Sequence, residues 1–297
     1  MIVNGANLRT LGIGFNASFA NGMGRATPQF SRISTTIPSS TASNEYGWLG
    51  QYPRVREWLG DRVINNIQTA GYTIKNKTYE NTIGVEREAI EDDNIGIYAP
   101  LFQEMGYATA CFPDELIWPL LAAGFATNCY DGQYFFDSDH PVLDSTGAVT
   151  SVSNTGGGAG TPWFLMDVSR PLKPMIFQER KPFNFVAMDK PDDEQVFTTK
   201  KFRYGVDGRA NAGFGFWQQA YGSKQTLDAA SYKAARAAMM GLKGDYGRPL
   251  NIMPNLLVVP PSLEGTAREI LLAERNSAGA TNVWRNTAEL EVVTWLA

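Results

Sequence analysis

The first 85 residues show little self-contained amphipathic core, and this limits the possible folds more than any motif does. Residues 31–44 read SRISTTIPSSTASN, eight of fourteen being Ser or Thr. Such a stretch cannot offset its ordering entropy by burial, so it reads as an arm, mobile or ordered by something outside the subunit. From residue 46 to 87 the texture changes. Tyr46, Trp48, Tyr52, Trp58, Tyr72 and Tyr79 are scattered among Arg54, Arg56, Arg62, Lys75 and Lys77 with no helical stripe. Tyr72, Ile74, Tyr79, Ile83 and Val85 carry strand propensity, so the segment reads as a long antiparallel excursion with little local core. Large aromatics mixed with arginines are the composition of interface hot spots. Trp48, Arg54, Arg56, Trp58, Arg62 and Tyr72 are therefore the candidate intersubunit contacts, with Trp58 the buried anchor, and residues 1–85 are expected to gain burial from neighbouring subunits.

Charge and composition narrow the function. Twenty-six Lys and Arg against thirty Asp and Glu leave a net charge of −4, which disfavours wrapping a polyanion. Charged residues are 19% of the chain, fewer than in most soluble domains, which suits extensive protein contact. The longest apolar stretch, residues 116–126, is interrupted by Pro119 and Gly124 and is too short to span a bilayer, so no membrane role is expected. The N-terminal residues lack a basic region followed by an apolar one, and with two cysteines no disulfide framework is needed; folding in a reducing cytoplasm is expected.

Downstream, Asn94 can cap a helix whose apolar positions Ile97, Tyr98, Leu101, Phe102, Met105 and Ala108 recur every three or four residues. Pro113 is placed to open a second helix with Ile117, Leu120, Leu121 and Phe125 on one face, kinked at Pro119. Residues 144–161 are a Ser-, Thr- and Gly-rich loop. Strands are expected at 163–168, 175–178, 183–188 and 195–204, punctuated by Pro171, Pro174, Pro182 and Pro191. An Ala-rich helix follows residue 226, then a buried strand at 255–259, a helix capped by Ser262 and a closing strand at 290–296. The class is mixed α and β without βαβ order.

The most enzyme-like cluster is Asp131, Asp137, Asp139 and His140, within ten residues. As a carboxylate-dependent metal hydrolase it would use all four. An EF-hand starting at Asp131 fails, since its third position is Gln133 and its sixth Phe136. Asp131-Gly132 is a ready turn, and turn chemistry explains these residues more simply. Two cysteines 18 apart cannot build a four-ligand zinc site, and no phosphate loop or GxSxG elbow occurs. No catalytic, metal or cofactor site is expected, and the single histidine leaves no acid-base partner.

Five strings lie in order along almost the whole chain: YGWLG at 46–50, EDDNIGIYAPLFQEM at 91–105, YDGQYFFDSDHP at 130–141, IFQERK at 176–181 and GFGFWQ at 213–218. Together they resemble the major head (capsid) subunit of Mu-like tailed bacteriophages. The resemblance implies an α+β, Hong Kong 97-like major capsid fold. Residues 1–45 would be the N-terminal arm and 46–90 the extended loop and its base. Residues 91–126 and 163–221 would form the P-domain, with a spine helix, and 127–162 and 222–297 the A-domain and connecting loops. It further implies a virion protein, made in the bacterial host cytoplasm, that self-assembles as hexamers and pentamers into an icosahedral shell. The shell would enclose double-stranded DNA without sequence-specific contact, with scaffold, head protease and portal proteins as assembly partners. Covalent cross-linking would need a lysine on the loop; there is none between Arg54 and Ile74, so noncovalent locking is expected.

Overall fold

A computed structural model describes residues 2–47, 49, 71–92, 94–275 and 278–297. After helix α1 (Gly5–Arg25) come strands β1 (Ser34–Pro38), β2 (Ser43–Glu45), β3 (Thr73–Lys75) and β4 (Lys77–Glu86), then helices α2 (Arg87–Glu91) and α3 (Tyr98–Ala123). Hairpin β5 (His140–Leu143) and β6 (Val149–Val152) leads to β7 (Thr155–Gly158), β8 (Trp163–Met166) and β9 (Met175–Met188). Helix α4 (Glu194–Thr199), β10 (Lys201–Phe214), β11 (Ala220–Lys224) and α5 (Ala229–Met240) follow. The chain closes with the short pair β12 (Lys243–Gly244) and β13 (Arg248–Pro249), then β14 (Leu256–Val259), α6 (Glu264–Leu271) and β15 (Glu289–Val292).

A four-stranded sheet in the order β1-β9-β10-β4 is built on two long strands. Along β10, Phe202, Tyr204, Val206, Gly208 and Ala210 are buried while the residues between them are half-exposed, the period-2 signature of a sheet with one covered face. That face carries Val85, Phe202, Tyr204 and Val206, which pack with Leu8, Phe15 and Phe19 of α1 and Phe102 and Met105 of α3. Asn4 caps α1, its side chain accepting from the Asn7 amide at 2.9 Å. The arm is thus tied down inside its own subunit, contrary to expectation. Strand β1 lies parallel to β9 from Ser34↔Met175 to Pro38↔Glu179. The Ser and Thr hydroxyls that spoiled any apolar period satisfy backbone groups: Ser34 donates to the Phe30 carbonyl, and Thr35 accepts from the Lys173 amide.

Three further expectations are corrected. The two helices read on either side of Pro113 are one, α3, with Pro113 and Pro119 inside it and Ile97 rather than Asn94 at its N-cap. Each proline forfeits one ladder hydrogen bond, but burial of Phe102, Met105, Ile117, Trp118 and Leu121 along its length outweighs that loss. The strands read at 175–178 and 183–188 are one, β9. Pro182 cannot donate to the ladder, and the pairing with β10 shifts register around Arg209 to pass it. Residues 194–199 form α4, not strand; Lys200, with φ at 55°, ends the helix and β10 starts at Lys201.

The second layer is a five-stranded sheet, β15-β14-β8-β11-β7. All four residues of β8 and of β14 are buried, as continuous apolar strands with both faces covered must be. Helix α5 opens on a reciprocal capping box between Asp228 and Ser231. Strand β8 lies between β14 and β11 and pairs antiparallel with both, so Trp163–Met166 and Ala220–Lys224 belong to this sheet and not to that of β9.

Candidate functional site

The aspartate and histidine cluster is a closed structural cage. His140 is fully buried, its ring stacked on Trp217 with centroids 3.9 Å apart. Nδ1 lies 2.7 Å from Asp131 Oδ2 and Nε2 lies 3.2 Å from Asn154 Oδ1. The orientation of Asn154 is fixed, because its Nδ2 donates to the Phe135 carbonyl at 2.8 Å while Oδ1 accepts from the Asp137 amide at 2.9 Å. Burial pushes the Asp131 carboxyl up, but hydrogen bonds from His140 and from the Cys129 thiol outweigh it together and hold the group below the usual range. Burial drives the Cys129 thiol far above its ordinary value, so it sits there as a donor.

Cys129, Asp131 and His140 bring ligand-type atoms within 4.8 Å of one another, without Asp137 or Asp139. The Asp137 carboxylate instead accepts from the Tyr134 and Ser138 amides, which is turn chemistry. A hydrogen bond with Asp137 raises the exposed Asp139 carboxyl. With both imidazole nitrogens engaged and buried, no lone pair faces a substrate, and the hydrolase reading gains nothing from the geometry.

A second constellation, made of uncharged side chains, joins the described residues on either side of positions 50–70. Strands β2 and β3 pair antiparallel over Ser43↔Lys75, Asn44↔Ile74 and Glu45↔Thr73. Beneath this ladder lies Gln178 of β9, fully buried. Its Oε1 accepts from the Tyr46 hydroxyl at 2.7 Å; its Nε2 donates to the Ile74 carbonyl at 3.0 Å and to Asn76 Oδ1 at 2.8 Å. Asn76 Nδ2 donates in turn to Ser39 Oγ and to the Thr41 carbonyl, both at 2.9 Å, and Ser39 Oγ donates to Asn44 Oδ1 at 2.8 Å. The apolar rim is Tyr46, Leu49, Ile74, Ile176 and Phe216. A buried network satisfied this fully rigidifies its surroundings, since any deletion strands a polar group at about 1–3 kcal/mol.

Of the six contact candidates, Trp48, Arg54, Arg56, Trp58 and Arg62 lie outside the described residues. Tyr72 is half-buried beside the network, where its hydroxyl accepts from the Phe214 amide at 2.7 Å. Burial, opposed by that hydrogen bond, pushes the Tyr72 hydroxyl up to about 12, and burial likewise pushes Tyr46 up to about 12. Gln178, Asn76, Ser39 and Asn44 were not legible in the sequence: none is titratable, and as many as 139 positions (39 to 178) separate them.

Comparison with known proteins agrees with this picture of a scaffold without a reaction centre. The family model described as "Mu-like prophage major head subunit gpT" matches residues 8–296. The major capsid protein of Escherichia phage Mu is 43% identical over 95% of this chain and 95% of its own. The Mu-like prophage FluMu major head subunit of Haemophilus influenzae is 46% identical over 90% of this chain and 89% of its own. The subunit in the procapsid of bacteriophage JBD30 superposes with a TM-score of 0.88 at 47% identity, covering 99% of this chain and 100% of that one. The subunit in the JBD30 capsid superposes at 0.76 with 37% identity and 92% coverage of both. The α+β architecture is that of the Hong Kong 97-like capsid subunits, and the chain belongs to the Mu-like prophage major head subunit family, the major capsid proteins of Mu-like phages.

Proposed function

We propose that copies of this chain assemble as hexamers and pentamers into an icosahedral shell that encloses double-stranded DNA without reading its sequence. Its role is structural and not enzymatic, as in its family. The observation that carries this reading is the match to a head subunit over residues 8–296, on a fold whose buried polar networks anchor chain segments instead of presenting reactive groups. The four-stranded sheet with α1 and α3 corresponds to the P-domain and the five-stranded sheet with α5 and α6 to the A-domain. Residues 54–72, with Trp48 before them, supply noncovalent contacts between subunits: Trp58 is the anchor, and Arg54, Arg56 and Arg62 pair with carboxylates of adjacent copies. Scaffold, head protease and portal proteins act with it during assembly in the host cytoplasm.

Electron microscopy of the purified protein tests the reading. Uniform polyhedral shells are expected. Discrete small oligomers under every assembly condition would contradict it.

A further inference from the structure

We infer that the side-chain amide of Gln178 is a positioning element that fixes the flanking strands β2 and β3 against the subunit, and that it governs assembly more than folding. The inference rests on the reading that residues 54–72 make contacts between subunits. One amide holds both legs of the excursion: Tyr46 immediately before it, and Ile74 and Asn76 just after it. The ladder between those legs is only three residue pairs long, and an isolated ladder of that size is marginal in water. Gln178 itself is held rigidly, since it is paired on one side with Ile37 of β1 and on the other with Asn211 of β10. Asn211 adds a third tie, donating to the Lys75 carbonyl at 2.7 Å.

The rim residues around the amide form a cluster separate from the two large cores that hold the sheets to the helices. Loss of the amide therefore frees the base of the excursion without emptying either large core. Contacts made beyond this base depend on where its two legs are held, and hot-spot packing does not tolerate their displacement.

The test uses the full-length subunit in four forms: Gln178→Leu, Tyr46→Phe, Trp58→Ala, and Val258→Ala in the five-stranded sheet as a control for general destabilisation. Subunit melting is followed by circular dichroism, closed-shell yield by sedimentation, and amide hydrogen exchange by mass spectrometry. Gln178→Leu is expected to lower shell yield at least tenfold, while the control, with a similar or larger fall in melting temperature, assembles normally. Tyr46→Phe keeps the buried ring and removes the hydroxyl that donates to Gln178. It is expected to melt within about 2 °C of the parent, to exchange faster at residues 43–46 and 73–76, and to assemble less well. Should Gln178→Leu fail to fold, Tyr46→Phe alone decides: normal yield with unchanged local exchange overturns the inference. A Gln178→Leu subunit that assembles as well as the control also overturns it. If Trp58→Ala assembles normally, the intersubunit reading fails; if Trp58→Ala is defective while both network variants are normal, only the role of Gln178 fails.

Discussion

Gly106 of α3 faces Phe19 of α1 so closely that a β-carbon at residue 106 would collide with the Phe19 carbonyl oxygen. The contact is reciprocated one turn away, where a β-carbon on Gly22 would collide with the carbonyl of Gln103. The two helices meet backbone to backbone, and only glycine permits that approach.

Gly106→Ala and Gly22→Ala should each destabilise the subunit by about 3 kcal/mol, because the gain of up to about 1 kcal/mol in helix propensity is smaller than the cost of forcing the helices apart. Urea denaturation of the unassembled subunit measures this. Stability unchanged in both variants would mean that the crossing is looser than described.

Asp114 joins the arm to α3. Its Oδ1 accepts from the Phe30 amide at 2.6 Å, from the Gln29 amide at 3.1 Å and from Trp118 Nε1 at 2.9 Å. Burial pushes the Asp114 carboxyl up despite these donors, so its linkage favours the fold below about pH 4 and that contribution is lost as pH rises. Asp114→Ala strands three buried donors and should cost about 3 kcal/mol. Asp114→Asn keeps one oxygen for all three without a buried charge and should stay within about 1 kcal/mol of the parent at pH 7. Equal losses in the two variants would refute this account of the joint.

The Asp131 cage titrates in the opposite sense. Its carboxyl is held below the usual range in the fold, so it contributes stability above about pH 4 that is lost as pH falls through the folded value. Melting temperature should therefore drop steeply below about pH 4, and less steeply in Asp131→Asn. His140→Ala should cost about 3 kcal/mol, because it removes a buried ring stacked on Trp217 together with its bonds to Asp131 and Asn154. Elemental analysis of purified particles should find no stoichiometric metal; metal lost on Asp131→Ala would contradict the structural role.

Trp58→Ala should leave a soluble subunit that melts normally and assembles poorly, with about 2–4 kcal/mol lost per contact. Arg54→Glu and Arg62→Glu should act likewise, and assembly should be more sensitive to salt than folding is. A Trp58→Ala subunit with a lowered melting temperature and normal shell yield would place that side chain in its own core instead.

What the sequence disclosed depended on whether a residue's role repeats along the chain. The apolar run at Leu256–Val259 and the Asp228/Ser231 cap were readable because a buried strand and a helix start each carry a local signal. Helix α1 does bury Leu8, Phe15 and Phe19 at helical spacing, but five glycines within it, at 5, 12, 14, 22 and 24, hid the pattern. Those same glycines include the one that lets α3 approach. Pro113, Pro119 and Pro182 read as breaks, yet tertiary burial carried α3 through two of them and a register shift carried β9 past the third. The Gln178 network left no trace, since a buried amide between distant segments has neither period nor charge. Family strings such as YGWLG and GFGFWQ conveyed the architecture where local physics could not.

The central claim is that this chain is a shell-forming subunit whose polar clusters hold structure and do no chemistry. Cryo-electron microscopy of the full-length protein under assembly conditions tests it most directly. The account predicts closed icosahedral particles in which residues 54–72 of one copy lie against carboxylates of the next. Purified protein that remains a discrete small oligomer at every concentration and salt condition would contradict it.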